Sequence, residues 1–560
     1  MSPHIYRSNY PPLRVPTDSS LSEFLLENNP DDTPRDQVIL SDYAEPFNTI
    51  TYGGLRSTAA QAAAGLKQLF KVNEGDCICI VAENSVNWIL LAHAVHWFGG
   101  VFSVVSSLAT SSELVHYFAI AEPEIVATTP ENYGKVMDAL QISNECHRSP
   151  KCLLIEDGFP NSRYPDHLLF PRDVVKEGGP LLPPFRLPKD ARQVPAAMVF
   201  SSGTSGNPKG VLLSHYNLIG NLLSFRATDP LLYNGFQREV FFLPFAHIYG
   251  LAVVVLGSAF NGCHVVVMKR FNYTKYVERA SEIRATILRM VPSTAVAMAK
   301  DANIDKLDLR SVRYIMCGGA PLQAEVVRNL QSRMGDTLVV FQSYGLSEAL
   351  VSTLKGQFPA NKAGSVGKLF AGVQLRVVDD DFVDVTPGTQ GECVVMGPSV
   401  FIFRGYAKNK EETAATFKDG WFLTGDVVRV DEDNYIWVTE RKKELIKYKG
   451  YQVPPAELEG ILLSHPEVLD AAVCATWDQT QVAELPTAYV SLQKSVASAE
   501  IPYVLREIRK YTEAKISPYK RLRGGVHHLR QIPRGANGKL LRRLLPARLE
   551  GEKNKRTPKL

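Results

Sequence analysis

Paired cysteines, membrane-length apolar runs and a secretory signal core are all missing from this sequence. Its 560 residues include eight cysteines, which are scattered without disulfide or metal-ligand spacing and therefore favour reduced thiols in an intracellular protein. The longest apolar run, residues 251–260, is too short to span a bilayer and predicts a buried helix. Because His4, Arg7 and several prolines lie among the first residues, we expect no signal peptide.

A large excess of one charge is missing as well. The net charge is +4, and no basic stripe alternates with aromatic residues, so we expect no nucleic-acid partner. Apolar residues make up 45% and charged residues 21% of the chain, which is typical of a globular protein. Because single cores stop growing near about 250–300 residues, this length predicts at least two domains.

Strand and helix signals alternate along the first part of the chain. They predict a helix over 52–70 capped by Thr51, a strand over 77–81, a helix over 86–98, a strand over 101–105, a helix capped by Ser112 and a strand over 125–127. Further strands of the same kind are predicted at 265–268, 286–288, 314–317 and 338–341. This alternation indicates an α/β fold in which helices cover a mostly parallel sheet.

After residue 352 the helix signals become sparse. Short β-like runs at 375–378, 392–396 and 435–438 predict a small barrel or sheet, and an α+β unit begins near Arg441. Residues 156–195 are rich in Pro and Gly and predict a long surface connection. We therefore expect an N-terminal domain of helix-covered sheets plus a small β-barrel sub-domain at 1–440, and an α+β C-terminal domain at 441–560.

A loop with phosphate-binding chemistry follows the apolar strand predicted at 196–200. It reads Ser201-Ser-Gly-Thr-Ser-Gly-Asn-Pro-Lys-Gly210. Its glycines allow a tight turn with inward N–H groups, its hydroxyls add donors, and Lys209 adds a positive charge, as a polyphosphate requires. It is not a Walker loop, because the lysine precedes the last glycine and no Ser or Thr follows. A flexible Ser/Gly turn is the alternative interpretation.

Six further motifs follow this loop, at residues 245–251, 318–321, 342–348, 424–426, 441–452 and 533–540. Residues 342–348 and 424–426 are weak signals by themselves and residues 441–452 are the most specific segment, and the order of all six resembles that of the adenylate-forming superfamily. This superfamily contains acyl-CoA synthetases, 4-coumarate–CoA ligases, beetle luciferases and the adenylation domains of peptide synthetases. The segment from Arg441 is most similar to the coumarate ligase and luciferase branch, although Glu440 stands where many members have Asp. The resemblance implies that the C-terminal domain is mobile.

The resemblance also implies a set of nucleotide contacts. The residues that match the family's ATP- and AMP-binding positions are Ser201, Ser202, Gly203, Thr204, Ser205, Gly206, Lys209, Gly319, Ala320, Pro321, Gln342, Tyr344, Gly345, Ser347, Asp426 and Arg441. Among them, Tyr344 is expected to stack on adenine, and Asp426 is expected to accept both ribose hydroxyls. Glu348 is expected to bind Mg²⁺ together with phosphate oxygens and water, which is a usual arrangement for this ion.

The same resemblance assigns residues to the acid and to the chemistry. His247 is expected to lie near the substrate carboxylate. Lys539 is expected to hold that carboxylate and the α-phosphate during adenylation, and Lys447 and Gln452 to serve reactions at the acyl-adenylate. Pocket, channel and hinge positions are Tyr249, Val253, Ser343, Leu350 and Val351 for the acid, Lys449 and Gly450 for the thiol, and Lys443 for the hinge.

The resemblance therefore predicts an AMP-forming acyl-CoA ligase that uses ATP, Mg²⁺ and coenzyme A. The pocket residues suit an aromatic, cinnamate-like or medium-chain acid. Two alternatives stay open: a free-standing enzyme that loads a carrier protein, and a non-catalytic nucleotide-binding homologue. No Gly-x-Asp-Ser carrier segment follows Lys539.

The last three residues, Pro558-Lys-Leu560, resemble the Ser-Lys-Leu signal for peroxisomal import. A proline replaces the small first residue of that signal. We expect either recognition by the peroxisomal import receptor or a cytoplasmic location.

Overall fold

The computed structural model describes most of the chain. The described residues are 3–144, 150–155, 167–176, 178–201, 208–318, 322, 324–335, 337–353, 362, 364–396, 402–442, 444–448, 451–478, 483–535 and 540–547. Within them the architecture is α/β, with several helix-covered sheets and a separate α+β unit at the C-terminal end. This confirms the fold class predicted from the sequence.

The largest sheet has eight strands. Their spatial order is Gly405–Tyr406, Lys209–Ser214, Pro195–Ser201, Val101–Val105, Cys77–Val81, Ile125–Thr128, Lys151–Ile155 and Leu169–Phe170. The last six of these pair in parallel, and the first two are antiparallel additions. The central strand Cys77–Val81 is buried along its whole length, as expected for a parallel strand covered on both faces.

Two smaller sheets lie in the same N-terminal region. The first contains Arg238–Phe241, His264–Val267, Val38–Asp42 and Thr49–Thr51. The second contains Ile287–Met290, Tyr314–Cys317, Val339–Gly345, Leu350–Thr353 and Lys368–Leu369, of which the first three strands are parallel. The carboxyl ends of Tyr314–Cys317 and Val339–Gly345 lead into segments that the sequence predicts to bind nucleotide, and carboxyl ends of parallel strands are where ligands of open α/β sheets bind.

The described helices pack around these sheets. They are Leu21–Glu27, Tyr52–Phe70, Val86–Trp97, Ser111–Ala121, Tyr133–Asn144, His215–Thr228, Ile248–Gly250, Gly257–Asn261, Tyr273–Glu282, Pro292–Lys300, Ala324–Met334, Lys410–Ala415, Pro455–Leu463 and Ile501–Glu513. A π-helical turn, Leu251–Leu256, precedes Gly257–Asn261, and both are buried as predicted for this apolar run. Within the described segments, no helix is both long and apolar enough to cross a membrane.

Helix capping agrees with the sequence at one position and corrects it at another. The Thr51 side chain accepts from the Gly54 N–H at 3.0 Å and caps the helix Tyr52–Phe70, as predicted. The helix Ser111–Ala121 is capped by Thr110, so the prediction of Ser112 was wrong. Thr110 is preferred because the carboxylate of Glu113, three residues later, accepts from the Thr110 N–H at 2.9 Å and completes a capping box.

An antiparallel sheet follows the parallel ones in the region predicted as a small barrel. Its strands are Tyr6–Arg7, Gln374–Val378, Gln390–Met396, Trp421–Val430, Phe417–Lys418 and Ile436–Arg441. Trp421–Val430 and Ile436–Arg441 form a hairpin in which Asp426 pairs with Arg441. This hairpin carries the last strand before the C-terminal unit.

The C-terminal unit has its own apolar core. A hairpin of Ile446–Tyr448 and Tyr451–Val453 precedes a three-stranded sheet of Val468–Asp478, Ala483–Leu492 and Val526–His528. Helices Pro455–Leu463 and Ile501–Glu513 accompany the sheet. The domain boundary after residue 440 stays a prediction.

Three buried histidines, His93, His96 and His215, belong to the helices Val86–Trp97 and His215–Thr228. The His96 ring lies 4.6 Å from Phe102 and 6.2 Å from His215 between centroids, and both its nitrogens are buried without a hydrogen-bond partner among the described residues. Burial lowers the pKa of His93 to about 4 and of His215 to about 3, and it holds the pKa of His96 well below its usual range.

These shifts predict acid sensitivity that one substitution reduces. Below pH ~6.5 the unfolded chain binds protons that the folded chain excludes, so each buried histidine should lower stability by about 2 kcal/mol at pH 5. Leucine at position 96 removes one such group and two unsatisfied nitrogens. We therefore expect His96→Leu to retain or raise the urea midpoint at pH 7 and to lose about a third less stability than wild type at pH 5.

Urea unfolding at the two pH values measures this difference. His527→Gln, at an exposed position, is the control and should retain the pH dependence of the wild-type protein. An unaltered pH dependence in His96→Leu would contradict the assignment.

Candidate active site

Three residues that the sequence predicts as nucleotide contacts meet at the buried carboxylate of one of them. Asp426 is 3% exposed on the strand Trp421–Val430. The Tyr344 hydroxyl donates to Asp426 Oδ2 at 2.6 Å, and Arg441 Nε lies 3.3 Å from Asp426 Oδ1. Burial first, and then the charge of Asp426, raise the pKa of Tyr344 well above its usual value, so this phenol stays a donor. The structure thus brings Tyr344, Asp426 and Arg441 into one cluster.

A second cluster brings the predicted Mg²⁺ ligand near the lysine of the phosphate loop. Glu348 is 7% exposed, and its Oε1 accepts from the Tyr406 hydroxyl at 3.1 Å. Lys209 Nζ lies 5.0 Å from the ring centroid of the same tyrosine, and this ammonium forms an ion pair with Glu412. Sequence reasoning identified Glu348 and Lys209 but missed Tyr406 and Glu412, because nothing in the sequence indicates that they face the loop.

The phosphate loop connects two paired strands. Pro195–Ser201 and Lys209–Ser214 are antiparallel, with Ser201 opposite Lys209, so the two residues that flank the loop lie side by side. The Ser201 hydroxyl is buried without a partner among the described residues and is available to a ligand oxygen. The predicted loop contacts Ser202, Gly203, Thr204, Ser205 and Gly206 lie outside the described residues.

These groups fit the chemistry expected for ATP and Mg²⁺. Lys209 and the Ser201 hydroxyl suit phosphate oxygens. In the described part of the chain, no three His, Cys, Asp or Glu side chains come together as a metal site. A single carboxylate at Glu348 is nevertheless sufficient for Mg²⁺, because this ion commonly takes one or two carboxylates and completes its shell with phosphate and water.

The predicted acid pocket begins at the helical turn Ile248–Gly250. His247 caps this turn, and its Nδ1 accepts from the Tyr249 N–H at 3.2 Å, so a neutral ring carries its hydrogen on Nε2. The Tyr249 hydroxyl accepts from Arg289 Nη1 at 3.2 Å. Val253 is buried in the π-helical turn that follows. His247, Tyr249 and Val253 therefore share one local structure.

The predicted adenine loop is anchored by the next strand. Gln342 Oε1 accepts from the Leu322 N–H at 2.6 Å, so this amide holds the end of the loop in place. Ser343 and Gly345 lie on the same strand, and Ser347 lies in the turn that follows it. Outside the described residues lie Gly319, Ala320, Pro321 and the side chains of Leu350 and Val351.

The C-terminal contacts are described only in part. Lys447 and Gln452 are paired residues of one hairpin, so the structure places their backbones opposite each other. The Lys447 N–H donates to Glu484 at 2.8 Å, and its side chain is exposed. Outside the described residues lie Lys443, Lys449, Gly450, Lys539 and the side chain of Gln452.

Family models match both parts of the chain. Residues 26–407 match the AMP-binding enzyme model, and residues 457–539 match the model of the AMP-binding enzyme C-terminal domain. The chain belongs to the AMP-binding enzyme family. Membership agrees with the resemblance identified from the sequence motifs and with the nucleotide chemistry of the two clusters.

Relatives of this AMP-binding enzyme are similar along nearly their whole length. A probable 4-coumarate–CoA ligase 1 of Dictyostelium discoideum is 31% identical over 550 residues, which cover 96% of this chain and 97% of the relative. The peroxisomal OPC-8:0-CoA ligase 1 of Arabidopsis thaliana is 32% identical and covers 87% of this chain and 86% of its own. The enzyme is thus an AMP-forming acid–thiol ligase.

Solved structures show the same fold. An anthranilate CoA ligase in complex with anthranoyl-AMP has a TM-score of 0.81 at 21% identity, covering 96% of this chain and 98% of its own. A benzoate CoA ligase from Burkholderia xenovorans LB400 has a TM-score of 0.78 at 21% identity, and the match covers 94% of this chain and 99% of that ligase.

The buried carboxylate predicts a specific loss of nucleotide affinity. Asp426→Asn keeps the shape of the side chain but removes the charge that Tyr344 and Arg441 contact. Because hydrogen bonds to charged groups contribute about 1.5–3 kcal/mol, we expect ATP affinity to fall by about 10–100-fold. Isothermal titration calorimetry measures this change.

The matched control lies on the same hairpin. Asp433→Asn changes an exposed carboxylate near the turn of the hairpin. This carboxylate forms an ion pair with Lys362 at 2.6 Å. We expect wild-type ATP affinity in this variant. An equal loss in both variants would indicate damage to the hairpin instead of a lost nucleotide contact.

Proposed function

We propose that the enzyme adenylates a carboxylic acid with ATP and transfers the acyl group to coenzyme A, and that its acid is aromatic, cinnamate-like or medium-chain. The observation that carries this proposal is the convergence of Asp426, Tyr344 and Arg441 in one buried cluster, with Glu348 and Lys209 around Tyr406. The names of the relatives, which include 4-coumarate–CoA ligases, support coenzyme A as the acceptor.

The first step joins the acid to AMP. A carboxylate oxygen attacks the α-phosphorus of ATP, the bond to pyrophosphate breaks, and an acyl-adenylate forms. Lys209 and the Ser201 hydroxyl hold phosphate oxygens, while Tyr344 and Asp426 hold the nucleoside. Lys539 supplies positive charge to the attacking carboxylate and the α-phosphate. Glu348 would hold Mg²⁺, which would supply positive charge next to the pyrophosphate.

The second step forms the thioester. The thiolate of coenzyme A attacks the acyl carbon, and the bond between that carbon and AMP breaks. Lys449 and Gly450 line the thiol channel, where the absence of a side chain at Gly450 leaves room for the narrow pantetheine arm. The C-terminal domain, residues 441–560, turns about Lys443 between the steps, so that Lys539 serves adenylation and the other face serves thioester formation.

Two other functions remain as alternatives. A free-standing enzyme that loads a carrier protein would use the same first step and a different thiol. A non-catalytic nucleotide-binding homologue would retain the fold without the chemistry. Retention of Lys209, Glu348, Asp426 and Lys539 disfavours the second alternative.

Both half-reactions test the proposal. We expect pyrophosphate release with at least one acid of a panel of aryl, cinnamyl and fatty acids, and consumption of coenzyme A with the same acid. Lys539→Ala should abolish adenylation but retain thioester formation from preformed acyl-adenylate, because this lysine acts only in the first step.

The alternatives give different results in the same assays. Pyrophosphate release that depends on a carrier protein and not on coenzyme A would favour the loading enzyme, and no release with any acid would favour the non-catalytic homologue. An equal loss of both half-reactions in Lys539→Ala would contradict the movement of the C-terminal domain.

The ion pair of Lys209 with Glu412 predicts competition at the phosphate loop. Glu412 and the phosphates of ATP attract the same ammonium, that of Lys209, whose side chain is 10% exposed. Because partly exposed pairs contribute up to about 1 kcal/mol, Glu412→Gln should lower the KM for ATP by about 2–5-fold in pyrophosphate exchange.

Glu411→Gln is the matched control, because this neighbouring carboxylate is exposed. Its KM for ATP should equal that of wild type. A raised KM in Glu412→Gln would show that Glu412 positions Lys209 for ATP and does not compete with it.

We also propose import into peroxisomes through Pro558–Lys559–Leu560, which lie outside the described residues. The peroxisomal relative in Arabidopsis thaliana supports this location. A fluorescent fusion should co-localise with peroxisomes and become diffuse when residues 558–560 are deleted. The same distribution with and without these residues would contradict the proposal.

A further inference from the structure

A charged pair lies inside the apolar layer behind the acid pocket. Arg289 Nε lies 2.7 Å from Glu239 Oε2, and the two side chains are 2% and 1% exposed. Glu239 belongs to the strand Arg238–Phe241 and Arg289 to the strand Ile287–Met290. The second strand is otherwise apolar, so this arginine departs from the local sequence pattern.

Stability alone does not account for this pair. Removing two charges from water is costly, and well-packed apolar residues of similar volume often stabilise a core equally or better. Glu239 and Arg289 therefore favour a role in positioning or specificity.

The guanidinium of Arg289 links the ion pair to the acid pocket. Arg289 Nη1 donates to the Tyr249 hydroxyl at 3.2 Å, and the guanidinium carbon lies 5.9 Å from the ring centroids of Tyr249 and Tyr233. Because Tyr249 accepts from this cation, its own hydroxyl hydrogen points away from Arg289. The Tyr233 hydroxyl is buried without a hydrogen-bond partner among the described residues.

Strand register relates this cluster to two residues of the predicted active-site motifs. Arg289 pairs with Met316, and Met316 pairs with Phe341, across the three parallel strands. Arg289 Nη1 also lies 2.9 Å from Met316 Sδ. Two residues after Met316 the chain enters the segment at Gly318, and two residues after Phe341 it reaches Ser343. Arg289 therefore lies in the row of residues that stands two positions before Gly318 and Ser343 on the neighbouring strands.

We propose that Glu239 and Arg289 position the Tyr249 hydroxyl to donate a hydrogen bond to an uncharged oxygen on the acyl part of the acid. The substrate class is thus an acid that carries a hydroxyl, ether or keto oxygen away from its carboxylate. This inference rests on the proposed function, because it assigns the specificity of that same acid pocket.

Charge balance selects an uncharged oxygen over a second carboxylate. Arg289 is already neutralised by Glu239, so a second carboxylate would add an uncompensated negative charge to a buried site. An ether or hydroxyl oxygen adds no charge and satisfies the donor. A purely apolar group leaves that donor without a partner, which costs about 1–3 kcal/mol.

Pairs of isosteric acids separate the effect of the oxygen atom on kcat/KM from the effects of size and shape. The aryl pair is 3-(4-methoxyphenyl)propanoate and 3-(4-ethylphenyl)propanoate, and the aliphatic pair is 8-methoxyoctanoate and decanoate. We expect wild type to prefer the methoxy member of at least one pair by about tenfold or more in kcat/KM for pyrophosphate release. We expect 3-(4-carboxyphenyl)propanoate to be disfavoured relative to the methoxy acid.

Variants connect this preference to the named residues. Tyr249→Phe should reduce the methoxy-to-ethyl ratio to about one, and Arg289→Met should reduce it while Arg289→Lys restores part of it. Tyr276→Phe is the matched control, because its hydroxyl donates to the Arg289 backbone carbonyl at 3.1 Å and not to its side chain. This ratio does not change with the fraction of folded enzyme, so partial unfolding of a variant leaves it interpretable.

Two results would overturn the inference. The first is a wild-type ratio of about one in both pairs, and the second is an unchanged ratio in Tyr249→Phe. Formation of acyl-CoA from any acid of the broad panel would leave the proposed function intact in either case. Failure of every acid in the broad panel rejects the proposed function itself and the inference with it.

Discussion

The carboxylate of Asp426 is the interaction on which the active-site arrangement depends. It belongs to the antiparallel sheet, and it is held by Tyr344 from the parallel sheet and by Arg441 from the adjacent strand. A buried carboxylate without donors would be strongly unfavourable, so these contacts hold the two sheets at a defined separation. Because Arg441 is the last residue of the strand Ile436–Arg441, the same carboxylate also holds the end of that strand.

In the second cluster one tyrosine contacts two oppositely charged side chains. Tyr406 donates its hydroxyl to Glu348, and its ring centroid lies 5.0 Å from Lys209 Nζ. The proposed phosphate contact of Lys209 and the proposed cation contact of Glu348 would therefore lie around the same residue. Glu412 is the remaining competitor for the ammonium, and it comes from a short helix at the edge of the site.

Local sequence signals predicted much of the fold. The strands Cys77–Val81, Val101–Val105 and Tyr314–Cys317 have the bounds that apolar runs between turn residues predict, and Thr51 caps the helix that follows it. The error at Thr110 arose because three hydroxyl residues stand together there. Only the carboxylate of Glu113, three positions after the first, distinguishes them.

The candidate site was predictable only where motifs are contiguous. Tyr344, Asp426 and Arg441 lie in such motifs, and the structure brings them together. Tyr406 and Glu412 lie about two hundred residues from Lys209, and their contact with it depends on how the sheets pack, which no local pattern encodes. The role of Gln342 also needed the structure, because its amide holds Leu322.

Two sets of ion pairs, each centred on one arginine, show why contacts beyond the pair decide its function. Arg542 joins Glu444 and Glu459, and Glu459 accepts from the Val473 N–H at 2.8 Å, so that network connects elements of the C-terminal unit to one another. Arg289 instead extends from Glu239 to a tyrosine that the sequence places at the acid pocket. The side chains of Arg542, Glu444 and Glu459 are 14–32% exposed and those of Arg289 and Glu239 only 1–2%, so the second pair carries the larger desolvation cost. Its arginine contacts the tyrosine that we propose to face the substrate. A charge inside an apolar strand therefore indicates specificity most strongly when its remaining donors point to a functional side chain.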